Sequence, residues 1–120
     1  MAKTILTVDD SVTMRQMITF TLAKAGYDIL EAGDGVEALA VAAGKKLDLV
    51  ITDVNMPNMD GITLVQRLRA QAGFRYTPIL VLTTESGQDF KVRGKEAGAT
   101  GWIVKPFSPE KLLEIVEKVI

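Results

Sequence analysis

Asp9 and Asp10 follow one short apolar run, Asp53 closes a second, Thr83-Thr84-Glu85 end a third, and Lys105-Pro106 end a fourth. If these runs are neighbouring strands, three carboxylates, a hydroxyl and an ammonium gather in one shallow pocket. Carboxylates held together repel one another, and a hard divalent cation offsets them. Mg²⁺ suits the role because it takes oxygen ligands while keeping several waters. Lys105 supplies a further positive point charge. An ionised carboxylate flanked by a cation and a lysine has the surroundings of a phosphoryl acceptor. Carboxylates form acyl phosphates in some enzymes, and phosphoryl transfer needs mainly positioning and charge stabilisation.

Each group also has an ordinary explanation. Asp9 or Asp10 could cap a following helix, and Asp53 could be a turn residue ahead of Pro57 and Gly61. Thr83 could be a strand-end hydroxyl and Lys105 a solvated lysine. Helix capping, however, gives no reason for a lysine and a threonine to stand at run ends beside the carboxylates.

The elements that must position these groups are readable. Short β-branched apolar runs at Ile5–Val8, Tyr27–Leu30, Leu47–Ile51, Ile79–Leu82 and Trp102–Val104 have strand length. Several are apolar on both faces, as a parallel sheet covered by helices requires. Between them lie amphipathic segments. Ser11 is placed to cap a helix with Met14, Met17, Ile18, Leu22 and Ala25 on one face, stopped by Gly26. Asp34 and Glu37 read as a capping box for a helix ending near Gly44. Asp60 is placed to cap a third helix with Ile62, Val65, Leu68 and Ala72 inward. A fourth spans about Gln88 to Ala97, with Gly94 inside it at a cost of about 1 kcal/mol relative to alanine. Ser108-Pro109 starts the last, with Leu112, Val116 and Val119 inward. Five β-α units predict an α/β fold, a doubly wound parallel sheet with helices on both faces. In such sheets ligands bind beyond the carboxyl ends of the strands, where the strand order reverses.

The bulk properties narrow the field. The 120 residues fit one domain spanning 1–120, and the hydrophobic and charged fractions, 48% and 24%, are those of a soluble globular protein. A net charge of −1 gives no electrostatic reason to expect nucleic acid or an anionic membrane as partner. The absence of cysteine and histidine removes disulfides, zinc sites and Ser/His or Cys/His catalysis together. No signal peptide or membrane-spanning run is visible, so a cytoplasmic monomer is expected.

Four segments together resemble the receiver domains of bacterial response regulators: Val8-Asp9-Asp10-Ser11, Asp53-Val-Asn-Met-Pro57-Asn-Met-Asp60-Gly61, Leu82-Thr83-Thr84-Glu85 and Val104-Lys105-Pro106-Phe107. They run through the chain in order and at the family's spacing. The resemblance implies the flavodoxin-like strand order 2-1-3-4-5, for which chemotaxis receivers are themselves a known example. It implies that Asp53 is phosphorylated by a histidine kinase. Asp10, Asp53 and the backbone carbonyl of Asn55 would hold Mg²⁺, with Asp9 acting through water. Lys105 would pair with the phosphoryl oxygens, Thr83 would hydrogen-bond to them, and the Lys105–Pro106 peptide would be cis. Inward movement of Thr83 would make room for Trp102, shifting the face built from the fourth helix, fifth strand and fifth helix between two populations. Trp102 stands where the family more often has tyrosine or phenylalanine. Asn55 with Glu85 is the pair seen in chemotaxis receivers, where it accompanies rapid loss of the phosphoryl group, so self-dephosphorylation in seconds to minutes rather than hours is expected here. The nearest likeness is to stand-alone chemotaxis regulators of the CheY type, whose target would be the flagellar motor switch. A non-chemotaxis phosphorelay or a phosphate sink is the alternative.

Other features read as structure. Gly33-Asp-Gly35-Val-Glu-Ala38 matches a loose dinucleotide pattern, but Glu31, Asp34 and Glu37 would repel a pyrophosphate. Met14 and Met17 read as core, and Arg67, Arg69 and Arg75 as a solvated face. A phosphatase with an aspartate nucleophile would want a second aspartate where Asn55 stands. A flavodoxin would want a hydroxyl-rich loop where Asp9 and Asp10 stand.

Overall fold

The apolar runs pair as parallel strands, and a computed structural model describes them within residues 2–84 and 88–120. The strands are β1 (Thr4–Val8), β2 (Asp28–Ala32), β3 (Leu49–Asp53), β4 (Ile79–Thr83) and β5 (Gly101–Val104). They alternate with helices α1 (Val12–Lys24), α2 (Gly35–Ala42), α3 (Gly61–Arg69), α4 (Gln88–Ala97) and α5 (Pro109–Val119). One sheet results, in the order β2-β1-β3-β4-β5, as expected. The central strands are buried on both faces, which explains their unbroken apolar sequences. Leu6, Val8, Val50 and Val81 face one core layer with α2 and α3, and Ile5, Leu49, Ile51 and Leu82 face the other with α1 and α5. Each large buried side chain contributes about 1.5–3 kcal/mol relative to exposure.

The caps fall where expected. Ser11, Asp34, Asp60 and Ser108 each accept a backbone N–H from the residue three positions on. The capping box is half formed: Asp34 Oδ1 accepts from Glu37 N–H at 2.8 Å, but among the described residues Asp34 N–H does not donate back to the Glu37 carboxylate. Gly26 ends α1 at φ 102°. Its N–H bonds to Ala23 O and that of Tyr27 to Leu22 O, the paired closure a glycine stop permits. Tyr27 therefore spends its N–H on the helix, and β2 starts one residue later than its apolar run. Ala25 becomes the exposed C-cap rather than part of the apolar face.

Two expectations fail around the end of α3. Ala72 is exposed, in a short 3-10 turn at Ala72–Phe74, and Phe74 fills the core instead. Arg69 is no solvated arginine. Its Nη1 donates to Phe74 O and Thr77 O, each at 2.6 Å, and its Nε to Gly98 O at 2.9 Å. The chain folds back around this guanidinium, and that drawn-in path ends the helix before Ala72. Among the described residues no helix is long and apolar enough to cross a membrane.

Candidate functional site

β1 ends at Val8 and Ser11 already caps α1, so Asp9 and Asp10 are free of the capping role. Asp9 N–H donates to Ala32 O at 3.1 Å, fixing its backbone against β2. Its Oδ1 accepts the Ser11 N–H at 2.9 Å, while its Oδ2 is buried with no hydrogen-bond partner. Asp10 is exposed. Asp53 ends β3, and its Oδ1 accepts the Val54 N–H at 2.9 Å. Asp9, Asp10 and Asp53 each offer an oxygen within 4.8 Å of the other two. Burial raises the Asp9 pKa above its ordinary value, and the Asp53 and Asp10 charges add to that, against the Ser11 N–H and Lys105.

Lys105 follows β5, where its N–H donates to Thr83 O at 2.7 Å and its peptide to Pro106 is cis. Its Nζ stands 3.2 Å from Asp53 Oδ1 and 3.7 Å from Asp9 Oδ2. Thr83 is buried at the end of β4, opposite Val104 in register. Trp102 lies on β5 opposite Val81, partly buried against the core. Asn55 is exposed in the loop after Asp53. Asp9, Asp10, Asp53 and Lys105 are thus in one cluster, Thr83 is at the same sheet edge, and Glu85 lies outside the described residues.

Three further residues support this cluster in roles that the sequence did not reveal. Arg15 Nη1 donates to Asp9 O at 2.6 Å while its Nε bonds to Glu31 at 3.1 Å, tying the first turn of α1 to the acidic pair and to β2. Gly61 lies so close to the end of β3 that a Cβ there would collide with the Asp53 carbonyl oxygen. Asn58 holds φ 68° and donates from Nδ2 to Asp34 Oδ2 at 2.9 Å. The only sequence signal for the last is residue type, since asparagine tolerates the left-handed region better than most residues.

A profile described as the response regulator receiver domain matches residues 5–117. The chain belongs to the response regulator receiver family. Chemotaxis protein CheY1 of Helicobacter pylori is 44% identical over 118 residues, covering 97% of this chain and 95% of that protein. The structure of the chemotaxis response regulator CheY4 of Vibrio cholerae superposes with a TM-score of 0.96 at 48% identity, covering all of both chains. A receiver domain of a Pseudomonas aeruginosa sensor histidine kinase, described with a magnesium ion coordinated in its active-site cleft, is 28% identical with a TM-score of 0.90 over 99% and 98% of the two chains.

The cluster in this receiver has the chemistry of a hard-cation site. The ligand atoms its carboxylates offer are all oxygens. Asp9 Oδ2 is a buried acceptor with no hydrogen-bond donor, whose charge, among the described residues, only the Lys105 ammonium at 3.7 Å faces, while Asp10 and Asp53 add two more carboxylates.

Proposed function

We propose that this receiver accepts a phosphoryl group on Asp53 from a histidine kinase in an Mg²⁺-dependent step. The observation that carries the reading is the Lys105 ammonium 3.2 Å from Asp53 Oδ1, with Asp9 and Asp10 oxygens in the same cluster. Asp10, Asp53 and the Asn55 carbonyl would hold Mg²⁺ directly and Asp9 through water, and the ion would neutralise the carboxylates and the incoming phosphoryl oxygens. An ionised Asp53 oxygen attacks the phosphorus of a phosphohistidine. The new O–P bond forms as the N–P bond breaks, and its electron pair returns to the imidazole. The Lys105 ammonium then pairs with the added phosphoryl oxygens, and the Thr83 hydroxyl donates to them.

Phosphorylation replaces the single charge of the Asp53 carboxylate with a phosphoryl group carrying roughly two, and its added oxygens draw Thr83 and Lys105 toward Asp53. Trp102 follows into the space near β5. An open groove lined by Trp102, Val104, Pro106, Phe107, Lys111 and Ile115 then changes shape. The likeness to chemotaxis regulators supports a chemotaxis kinase upstream and a flagellar motor switch protein at this groove. The protein acts as a signalling switch rather than a turnover enzyme, and Asn55 with Glu85 sets its self-dephosphorylation.

Trp102 is the only tryptophan, so its fluorescence reports the coupled switch. Addition of Mg²⁺ and then beryllofluoride, an acyl-phosphate mimic, is expected to change the emission in the native protein and not in Asp53→Asn. An equal response in both proteins would detach the switch from Asp53.

A further inference from the structure

The loop that leads away from Asp53 is fastened at both ends by ordinary means. At its start the Val54 N–H donates to Leu82 O at 3.2 Å and to Asp53 Oδ1 at 2.9 Å. At its end the Gly61 N–H donates to Val54 O at 2.8 Å, and Asp60 caps α3 through the Thr63 N–H at 2.8 Å. Between these points, among the described residues, one hydrogen bond ties the loop to another element. It runs from Asn58 Nδ2 to Asp34 Oδ2, the carboxylate whose other oxygen caps α2.

Two more observations converge on the same contact. Asn58 is the one non-glycine residue at positive φ among those described, a conformation that persists only where the surroundings hold it. Beside it Met59 covers Gly35, where a Cβ would come within 2.8 Å of Met59 Cβ and Cγ. Asn58 and Met59 are thus both seated on the first turn of α2. The Glu37 N–H and then the Asn58 amide hold the Asp34 carboxyl below its ordinary pKa, as two bonds to the ionised form should.

A backbone carbonyl cannot be aimed by its own side chain. Its direction follows from the path of the loop that carries it, so whatever pins the loop aims the ligand. We infer that Asn58 and Asp34 are positioning residues for the Asn55 carbonyl, forming a latch that holds the cation-binding loop in its binding path before Mg²⁺ arrives. The inference rests on the reading of Asp10, Asp53 and Asn55 as the Mg²⁺ ligands. It adds to that site two residues that touch neither metal nor phosphoryl group.

The test is an Mg²⁺ titration followed by the amide chemical shifts of residues 53–56, with thermal melting in EDTA alongside. Asn58→Gly removes the amide and keeps the left-handed path open, since glycine adopts positive φ freely. Asp34→Ser keeps a helix cap but is too short to reach Asn58. Asp34→Asn keeps the cap, loses the charge, and can still bond to Asn58 once the Asn58 amide turns over. Asn58→Gly and Asp34→Ser are each expected to weaken Mg²⁺ binding on the order of tenfold. The double variant should lose no more than either single one, because both remove the same contact. Asp34→Asn should stay within about twofold of the native affinity if the bond, rather than the charge, is what matters. Melting in EDTA should not follow this pattern. Native Mg²⁺ affinity in Asn58→Gly would overturn the latch, and so would equal losses in Asp34→Asn and Asp34→Ser. Failure of the native protein to respond at residues 53–56 would instead sink the underlying site reading, and the latch with it.

Discussion

Lys105 reaches past β4 to place its ammonium 3.2 Å from Asp53 Oδ1, although β5 and β3 share no edge in the sheet. The same Nζ lies 3.7 Å from Asp9 Oδ2, so one lysine offsets two carboxylates. On the proposed mechanism it would compete with Mg²⁺ for the acidic cluster while assisting the phosphoryl group. Lys105→Met should move the two functions in opposite directions. A unit charge about 4 Å away is worth about 1 kcal/mol even at the dielectric of water, so Mg²⁺ binding should tighten by about fivefold or more. Phosphoryl uptake at saturating Mg²⁺ should slow on the order of 100-fold, as when a transition-state donor is lost. Calorimetric Mg²⁺ titration and single-turnover uptake from a small phosphodonor measure the two effects, and weaker Mg²⁺ binding in Lys105→Met would contradict the competition.

Arg69 closes the far side of the sheet. Its guanidinium joins α3 to the chain before β4 through Phe74 O and Thr77 O, and to the α4–β5 turn through Gly98 O. Burial lowers its pKa from the ordinary arginine value, and the carbonyl dipoles around it stand in for an anion. Arg69→Met should destabilise the protein by about 2–3 kcal/mol, because those carbonyls lose a charged donor. Arg69→Lys should recover less than half of the loss, since an ammonium cannot present the same planar fork. Urea unfolding checks both values. A cost within the ordinary ±0.5 kcal/mol of a surface substitution would return Arg69 to the solvated face that its sequence suggested.

Much of the fold and site is legible because its signals are local. The strand runs end where Asp9, Asp53, Thr83 and Lys105 begin, and Ser11, Asp34, Asp60 and Ser108 mark helix starts that depend only on the next three residues. What escaped the sequence depends on partners far along the chain. Nothing near Arg69 announces that Gly98 will meet it, and nothing near Asn58 points to Asp34, 24 residues earlier. Ala72 failed for the same reason, since the helical period continues past Arg69 while the guanidinium draws the chain elsewhere. Arg15 resembled any surface arginine until β1 brought Asp9 O beneath it.

Asp34 gives the acid limb of stability a specific contributor. Its folded pKa lies below the ordinary value, first through the Glu37 N–H and then through the Asn58 amide. On acidification the unfolded chain therefore takes up the proton before the folded one does. The stabilisation is complete above the unfolded value of about 3.9 and is lost as pH falls through the lower folded value. Asp34→Asn cannot titrate. The stability of the native protein relative to this variant should decline as pH falls below the ordinary aspartate value of about 3.9, and a pH-independent difference in urea unfolding would contradict the assignment.

The most direct test of the central claim is intact-mass measurement after incubation with a small phosphodonor and Mg²⁺. The account predicts one added phosphoryl group on the native protein, located at Asp53 by peptide mapping after reductive trapping, and none with EDTA or in Asp53→Asn. No adduct on the native protein, or one that persists in Asp53→Asn, would contradict it.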